Sequence, residues 1–177
     1  KLYSQFNEET LIRHFFKDMR GGFFVDVGAG DYQRNSTTYY LEKHLGWNGI
    51  AIEANPSYEN SYAEHRPHTR FFARFVADSS DEITDFFLPV NYPDMASGSR
   101  ENVLKPGISK PGEIETQIYM LKVPTSTLNK LLDDERVKTI DFLSMDIEGA
   151  EPAALAGFDI NRFKPKLVCI EMNHDAK

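Results

Sequence analysis

Apolar residues along the chain fall into two alternating rhythms. Phe23-Phe24-Val25-Asp26-Val27 is a short apolar, β-rich run that breaks at Gly28-Ala29-Gly30, the pattern of a buried parallel strand entering a tight turn. Before it, Glu8 to Met19 carries Leu11, Ile12, Phe15, Phe16 and Met19 at helical spacing, and Gly21-Gly22 ends that helix. After the glycines, Asn35-Ser36-Thr37-Thr38 offers capping side chains to a helix through Tyr39, Tyr40, Leu41 and Leu45, closed by Gly46. Gly49-Ile50-Ala51-Ile52-Glu53 reads as a second buried strand ending on an acid. Asn55-Pro56 then supplies an N-cap and a first-turn proline for a helix reaching about His65. Phe71 to Val76 makes a third strand, ending at Ala77-Asp78. Strand, helix, strand, helix, strand is the alternation of a parallel sheet with helices on its faces.

From Asp81 to Val123 the rhythm changes to two strand-like pieces, Ile83 to Val90 and Thr116 to Val123, which read as a β-rich insertion. The segment between them, Tyr92 to Glu113, is rich in Gly, Ser, Pro and Lys and has no apolar period. A stretch of that length is either a binding loop or lid, with Asp94 to Gly112 as its moving part, or is disordered. Regular alternation resumes with a helix around Thr127 to Glu135, a strand Ile140 to Asp146, a short helix Ala150 to Ala156 closed by Gly157, and a strand Lys166 to Glu171. The whole predicts one α/β domain over residues 1–177: a Rossmann-like, doubly wound, mostly parallel sheet with flanking helices, interrupted at 81–123.

Composition narrows the functional classes. The chain of 177 residues is 41% hydrophobic and 27% charged, so it has the material for a packed core and is neither disordered nor fibrous. Its 20 basic and 27 acidic side chains leave a net charge of −7, and without a basic run it lacks the footprint that nucleic-acid phosphates require. A small neutral or cationic ligand suits it better. The single Cys169, inside Leu167-Val168-Cys169-Ile170, reads as a small hydrophobe in a strand. No run approaches a membrane span and no signal peptide opens the chain, so the expectation is a cytoplasmic protein. The first residue is Lys1, so a removed N-terminal segment is also expected, and an upstream anchor or targeting peptide stays open.

Ligands of open parallel sheets bind beyond the carboxyl ends of the strands. Here those ends carry Asp26, Glu53, Asp78, Asp146 and Glu171, and five acids on one rim are hard to assign to helix capping alone. The turn Gly28-Ala29-Gly30 allows close approach of backbone to a ligand. A dinucleotide fingerprint, however, wants a third glycine where Gln33 stands. A carboxylate at Asp26 suits a ligand with an ammonium group. Glu53, 23 residues after Gly30, stands where an acid at the second strand's end grips paired ribose hydroxyls.

Asp26-Val27-Gly28-Ala29-Gly30, then Glu53, then Asp78, then Met145-Asp146-Ile147-Glu148-Gly149-Ala150-Glu151 together resemble the FkbM family of S-adenosylmethionine-dependent methyltransferases. The likeness is close from Gly21 to Pro56, with Asn35-Ser36 and Leu41-Glu42-Lys43 in it, and again from Asp141 to Leu155; it skips the insertion. It implies S-adenosylmethionine as cofactor. Asp26, Gly28 and Gly30, with Ala29, would line its methionine part, Glu53 and Ala54 would meet the ribose, and Asp78 with Ser79 would flank the adenine. Asn35 and Ser36 would meet the cofactor carboxylate or simply cap the helix. The family fold usually adds two strands after the fifth, so the resemblance also implies that the sheet and the acceptor pocket are completed beyond Lys177.

Methyl transfer from a sulfonium needs an in-line acceptor and a group to take its proton. The candidates are Asp146, Glu148, Glu171 and His174, with Asp146 also close to the expected methyl position. The acids of Glu148-Gly149-Ala150-Glu151 equally suit a plain helix start, and His174 equally suits a surface position. No His, Asp or Glu spacing calls for a metal. The first expectation is O-methylation of a hydroxyl on a small molecule or sugar. An NAD-dependent enzyme and an inactive methyltransferase fold serving as an interaction module are the alternatives. The missing third glycine speaks against the former and the intact acids against the latter.

Overall fold

The computed structural model describes residues 2–89 and 118–171. In chain order its strands are β1 (Phe23–Val27), β2 (Asn48–Glu53), β3 (Thr69–Ala73), β4 (Phe75–Val76), β5 (Ile83–Pro89), β6 (Ile118–Ser126), β7 (Phe142–Met145) and β8 (Leu167–Ile170). The helices are α1 (Glu8–Phe16), α2 (Tyr39–Leu45), α3 (Glu59–His65), α4 (Leu128–Asp134), α5 (Glu151–Ala156) and α6 (Ile160–Phe163), with a 3-10 turn at Pro56–Tyr58. Five strands form a parallel sheet in the order β3-β2-β1-β7-β8, and β4, β6 and β5 form a small mixed sheet. The α/β architecture with a β-rich insertion is the one the apolar rhythm predicts.

Alternation along the strands divides the core. Val25 and Val27 of β1 join Ile50, Ile52, Leu143 and Met145 against Leu128, Leu131 and Leu132 of α4, Ala154 of α5 and Phe163 of α6. Phe24 joins Phe142 in a second cluster with Ile12, Phe16, Leu41, Leu45 and Trp47 from the α1 and α2 side. Trp47 is fully buried and its Nε1 donates to the Met19 carbonyl at 2.7 Å, so it is a packing residue. Cys169 is half-buried against the same cluster.

Three details depart from the sequence pattern. The first helix stops at Phe16 rather than Met19, because Lys17 and Asp18 both turn left-handed (φ 51° each), and Met19 packs beyond that turn. The third strand is two strands: Thr69–Ala73 extends the parallel sheet, whereas Phe75–Val76 pairs with β6, the chain crossing from one sheet to the other at Arg74. The run Phe71 to Val76 is interrupted only by Arg74, and local pattern does not reveal that its two halves pair with different neighbours. In the insertion, β5 and β6 pair antiparallel from Ile83↔Pro124 to Pro89↔Ile118, and Phe86, Leu88, Leu121 and Val123 pack with Ala54 and Phe75. The expected lid at 94–112 and His174 lie outside the described residues. Among the described residues no helix is long and apolar enough to cross a membrane.

Candidate active site

Strand order runs outward from β1 to β2 and β3 on one side and to β7 and β8 on the other. The crevice beyond the strand ends at such a reversal is where open α/β sheets take ligands. A cavity of about 310 Å³ lies there, at the small end of the range for small-molecule sites. Val27, Gly28 and Gly30 from the turn after β1 form its floor; Ile52, Glu53 and Ala54 flank it at the end of β2; Asp146, Ile147, Glu148 and Glu171 flank it beyond β7 and β8. Phe6, Tyr58, Arg74, Phe75 and Phe86 add an outer, largely aromatic wall.

The floor is held on both sides. Gly28 N–H donates to the Ile52 carbonyl at 2.9 Å, and Asp146 N–H donates to the Val27 carbonyl at 2.9 Å. Gly28 has φ 79°, and a Cβ there would stand 1.8 Å from the Asp146 carbonyl oxygen, so only glycine allows β1 and β7 to come this close.

Glu53 is buried, with one face on the cavity. Its Oε2 accepts from Gly30 N–H at 3.1 Å and its Oε1 from Asn55 N–H at 2.9 Å. Burial raises its pKa above the ordinary value; the hydrogen bonds from Asn55, Gly30 and Ala54 work against that shift, and the Asp26 charge adds to it. Each carboxylate oxygen has two lone-pair sites. Both oxygens are therefore fixed by backbone, and with Gly30, Asn55 and Ala54 on three of the four lone-pair sites, one site is left for a ligand hydroxyl.

On the opposite flank one carboxylate oxygen each from Asp146, Glu148 and Glu171 lies within 4.8 Å of the others. Like charges so close resist joint ionisation. The Asp146 carboxyl, exposed on its cavity side, is pushed up to about 7, first by partial desolvation among its protein neighbours and then by Glu171, with smaller contributions from Glu148 and Glu151. Glu148 (φ 54°) and Gly149 (φ 94°) are both left-handed, which turns the chain at the lip of the cavity. Glu151 accepts from Ile147 N–H at 2.9 Å, so this acid closes the turn from within α5. The three grouped carboxylates are spaced so that one cation could be shared among them. The sequence named these three acids together as candidate proton acceptors at the strand ends; what it did not signal is that their oxygens come within 4.8 Å of one another.

Of the residues expected at the site, Gly28, Gly30, Asn35, Glu53, Ala54, Asp146, Glu148 and Glu171 line the cavity. Asp26, Ala29, Ser36, Asp78 and Ser79 are not on its wall. Asp26 is one residue out of phase with Val27: its side chain leaves the sheet on the α2 side, where Oδ2 accepts from Thr38 Oγ1 at 2.7 Å. Burial raises its pKa, opposed by the Thr38 hydrogen bond, the Arg66 charge and Ser144. Ala29 packs with Ala51 and Tyr62, and its carbonyl accepts from the Tyr62 hydroxyl at 3.3 Å. Ser36 is buried, and its Oγ accepts from the Thr38 and Tyr39 amides at the start of α2, which is the capping role. Asp78 and Ser79 lie in the connection from β4 to β5, off the cavity wall.

The pattern along the chain did not single out Phe6, Tyr58, Arg74, Phe75 or Phe86 as site residues. The break between β3 and β4 and the folding back of β5 bring the last three to the cavity, and neither is encoded in local periodicity. Arg74 is the one cation among the described lining residues.

Residues 26–177 match the family model described as a methyltransferase FkbM domain. No curated protein and no solved structure matches the chain.

Proposed function

The chain belongs to the FkbM methyltransferase family, and from that premise we propose that this S-adenosylmethionine-dependent domain methylates a hydroxyl oxygen of a small molecule or sugar. The carrying observation is that one cavity at the strand-order reversal holds Glu53 on one flank and the Asp146, Glu148 and Glu171 carboxylates on the other.

The lining residues fit the cofactor by their chemistry. The lone-pair site left on the cavity-facing Glu53 carboxylate suits a ribose hydroxyl, Gly28, Gly30 and Asn35 suit the methionine end, and Ala54, Tyr58, Arg74 and Phe75 offer a partly apolar wall for adenine. Asp26 ties the strand that leads into the turn to Thr38 at the start of α2. S-adenosylmethionine, when bound, supplies a methyl group made electrophilic by its sulfonium.

Asp146 then acts as the base, accepting the proton that the acceptor hydroxyl loses as it is alkylated. A carboxyl raised to about 7 is matched to that task at neutral pH, and Glu171 helps to keep it there. Glu148 faces the acceptor side from its left-handed turn. The rings of Phe6 and Phe86 cover apolar surface of the acceptor, such as the C–H face of a sugar, and exclude water.

Calorimetry with S-adenosylmethionine, S-adenosylhomocysteine and NAD tests the cofactor half: the first two are expected to bind and NAD is not. NAD binding with no heat from S-adenosylhomocysteine would overturn it. Transfer of labelled methyl to a panel of sugars, phenols and amines tests the acceptor half, and label on amines alone would refute a hydroxyl acceptor.

A further inference from the structure

Arg66, just beyond α3, is 1% exposed and lies deep behind the cavity. Its Nε donates to Glu42 of α2, which is also buried. Nη1 donates to the Tyr32 carbonyl at 2.8 Å and reaches Ser36 Oγ at 3.5 Å, while Nη2 donates to Thr38 Oγ1 at 3.2 Å and Thr69 Oγ1 at 3.4 Å. Glu42 is saturated in turn, by His68 N–H at 3.0 Å and by the Thr69 hydroxyl. Three of these contacts, to Tyr32, Ser36 and Thr38, fall on the segment that runs from the glycine turn to α2.

That segment also carries Asn35, which sits on the cavity wall in a left-handed conformation (φ 59°) between the anchors at Tyr32 and Ser36. Thr38 has one hydroxyl hydrogen and gives it to Asp26, so toward Arg66 it is an acceptor. Thr37 Oγ1 donates to Ser144 Oγ at 3.0 Å, tying the same segment to β7. The guanidinium thus joins the segment, α2 and, through Thr38, the strand that ends in the glycine turn.

We propose that the buried Arg66–Glu42 pair is a positioning device for the 31–38 segment, setting the placement of Asn35 and hence cofactor affinity. Fold stability is not its main product. A buried ion pair often adds little net stability over well-packed apolar replacements, since desolvation offsets the attraction. What a planar fork with several fixed donors does supply is geometry. The inference rests on the proposed binding of S-adenosylmethionine at this cavity.

The test replaces both partners at once, Glu42→Leu with Arg66→Met, so that neither partner is left buried without the other, while Asp26, which also faces Arg66, keeps its Thr38 hydrogen bond. Melting temperature and calorimetric affinity for S-adenosylhomocysteine are measured on this variant and on wild type. The expected result is a melting temperature within a few degrees of wild type and affinity weakened about tenfold or more. Asn35→Ala should weaken binding in the wild-type background and change nothing further in the pair-less one, the non-additivity of coupled groups. Thr38→Val, which cuts the hydroxyl link with little change of volume, should weaken affinity, and Thr38→Ser should restore it. Affinity within twofold of wild type in the paired variant overturns the proposal. If that variant does not fold, unchanged affinity in Thr38→Val does so. A wild-type protein that binds no S-adenosylhomocysteine defeats the cofactor assignment instead.

Discussion

Substituting Gly28 by alanine tests the close approach of the turn after β1 to the end of β7. The added Cβ would lie 1.8 Å from the Asp146 carbonyl oxygen, well inside any tolerable carbon to oxygen contact, and both atoms belong to backbone that cannot swing aside. The residue is also left-handed at φ 79°, which costs an alanine about 1–2 kcal/mol. Relief of the clash requires either that the turn leave its position, losing Gly28 N–H to Ile52 O, or that the end of β7 move away, losing Asp146 N–H to Val27 O. One backbone hydrogen bond is worth about 1 kcal/mol net. The sum is about 2–3 kcal/mol, a large share of the roughly 5–15 kcal/mol of a typical domain. For a chain of this size it corresponds to a drop in melting temperature of about 4–12 °C. Gly30→Ala is the control: it too is left-handed (φ 55°), but its Cβ would meet nothing within 4 Å, so only the conformational cost of about 1–2 kcal/mol applies. Urea unfolding of the two variants gives both numbers, and S-adenosylhomocysteine binding shows how far the floor has moved. If Gly28→Ala were no more destabilising than Gly30→Ala, β1 and β7 would not approach as described and the cavity floor would need redrawing.

Glu53→Ala should weaken S-adenosylhomocysteine by about 1.5–3 kcal/mol, the scale for hydrogen bonds to a charged group, and unchanged affinity in a folded variant would remove the ribose assignment. Once an acceptor is known, kcat/KM should rise with pH to a plateau above about 7, and Glu171→Gln should move the midpoint downward by removing a like charge beside Asp146. Asp146→Asn should keep cofactor affinity and lose about 10²- to 10⁴-fold in turnover; full activity there would move the base elsewhere. The same carboxyl makes a stability prediction. Its folded pKa lies above the ordinary 3.8, so between about 4 and 7 the folded state holds more protons than the unfolded one, and its contribution declines as pH rises through 7. Asp146→Asn should therefore match wild type in thermal unfolding near pH 4 and exceed it at pH 8; the reverse order would contradict the raised pKa.

Local pattern was enough for most of the strands and helices, the sheet class and the position of the insertion, because burial imposes its period on each element where it lies; it was not enough for the division of the third strand between two sheets. It was also enough for the glycine turn and for the acids at Glu53 and Asp146, since a ligand beyond strand ends can only meet what the strand ends carry. Which acids share a cavity was a matter for the tertiary structure. Asp26 and Glu53 look alike in the chain, but alternation sends Asp26 into the packing beneath α2, while Glu53 stands at the last position of its strand and reaches the crevice. Glu171 joins Asp146 only because β8 lies beside β7, and Arg74 and Phe86 reach the wall only because the chain changes sheets after β3 and folds back through β5. The Arg66–Glu42 pair spans 24 residues and carries no periodic signal. Hydrophobic period reports how each segment is buried, whereas the chemistry of this site depends on which segments become neighbours, and that is settled by sheet order and long-range packing.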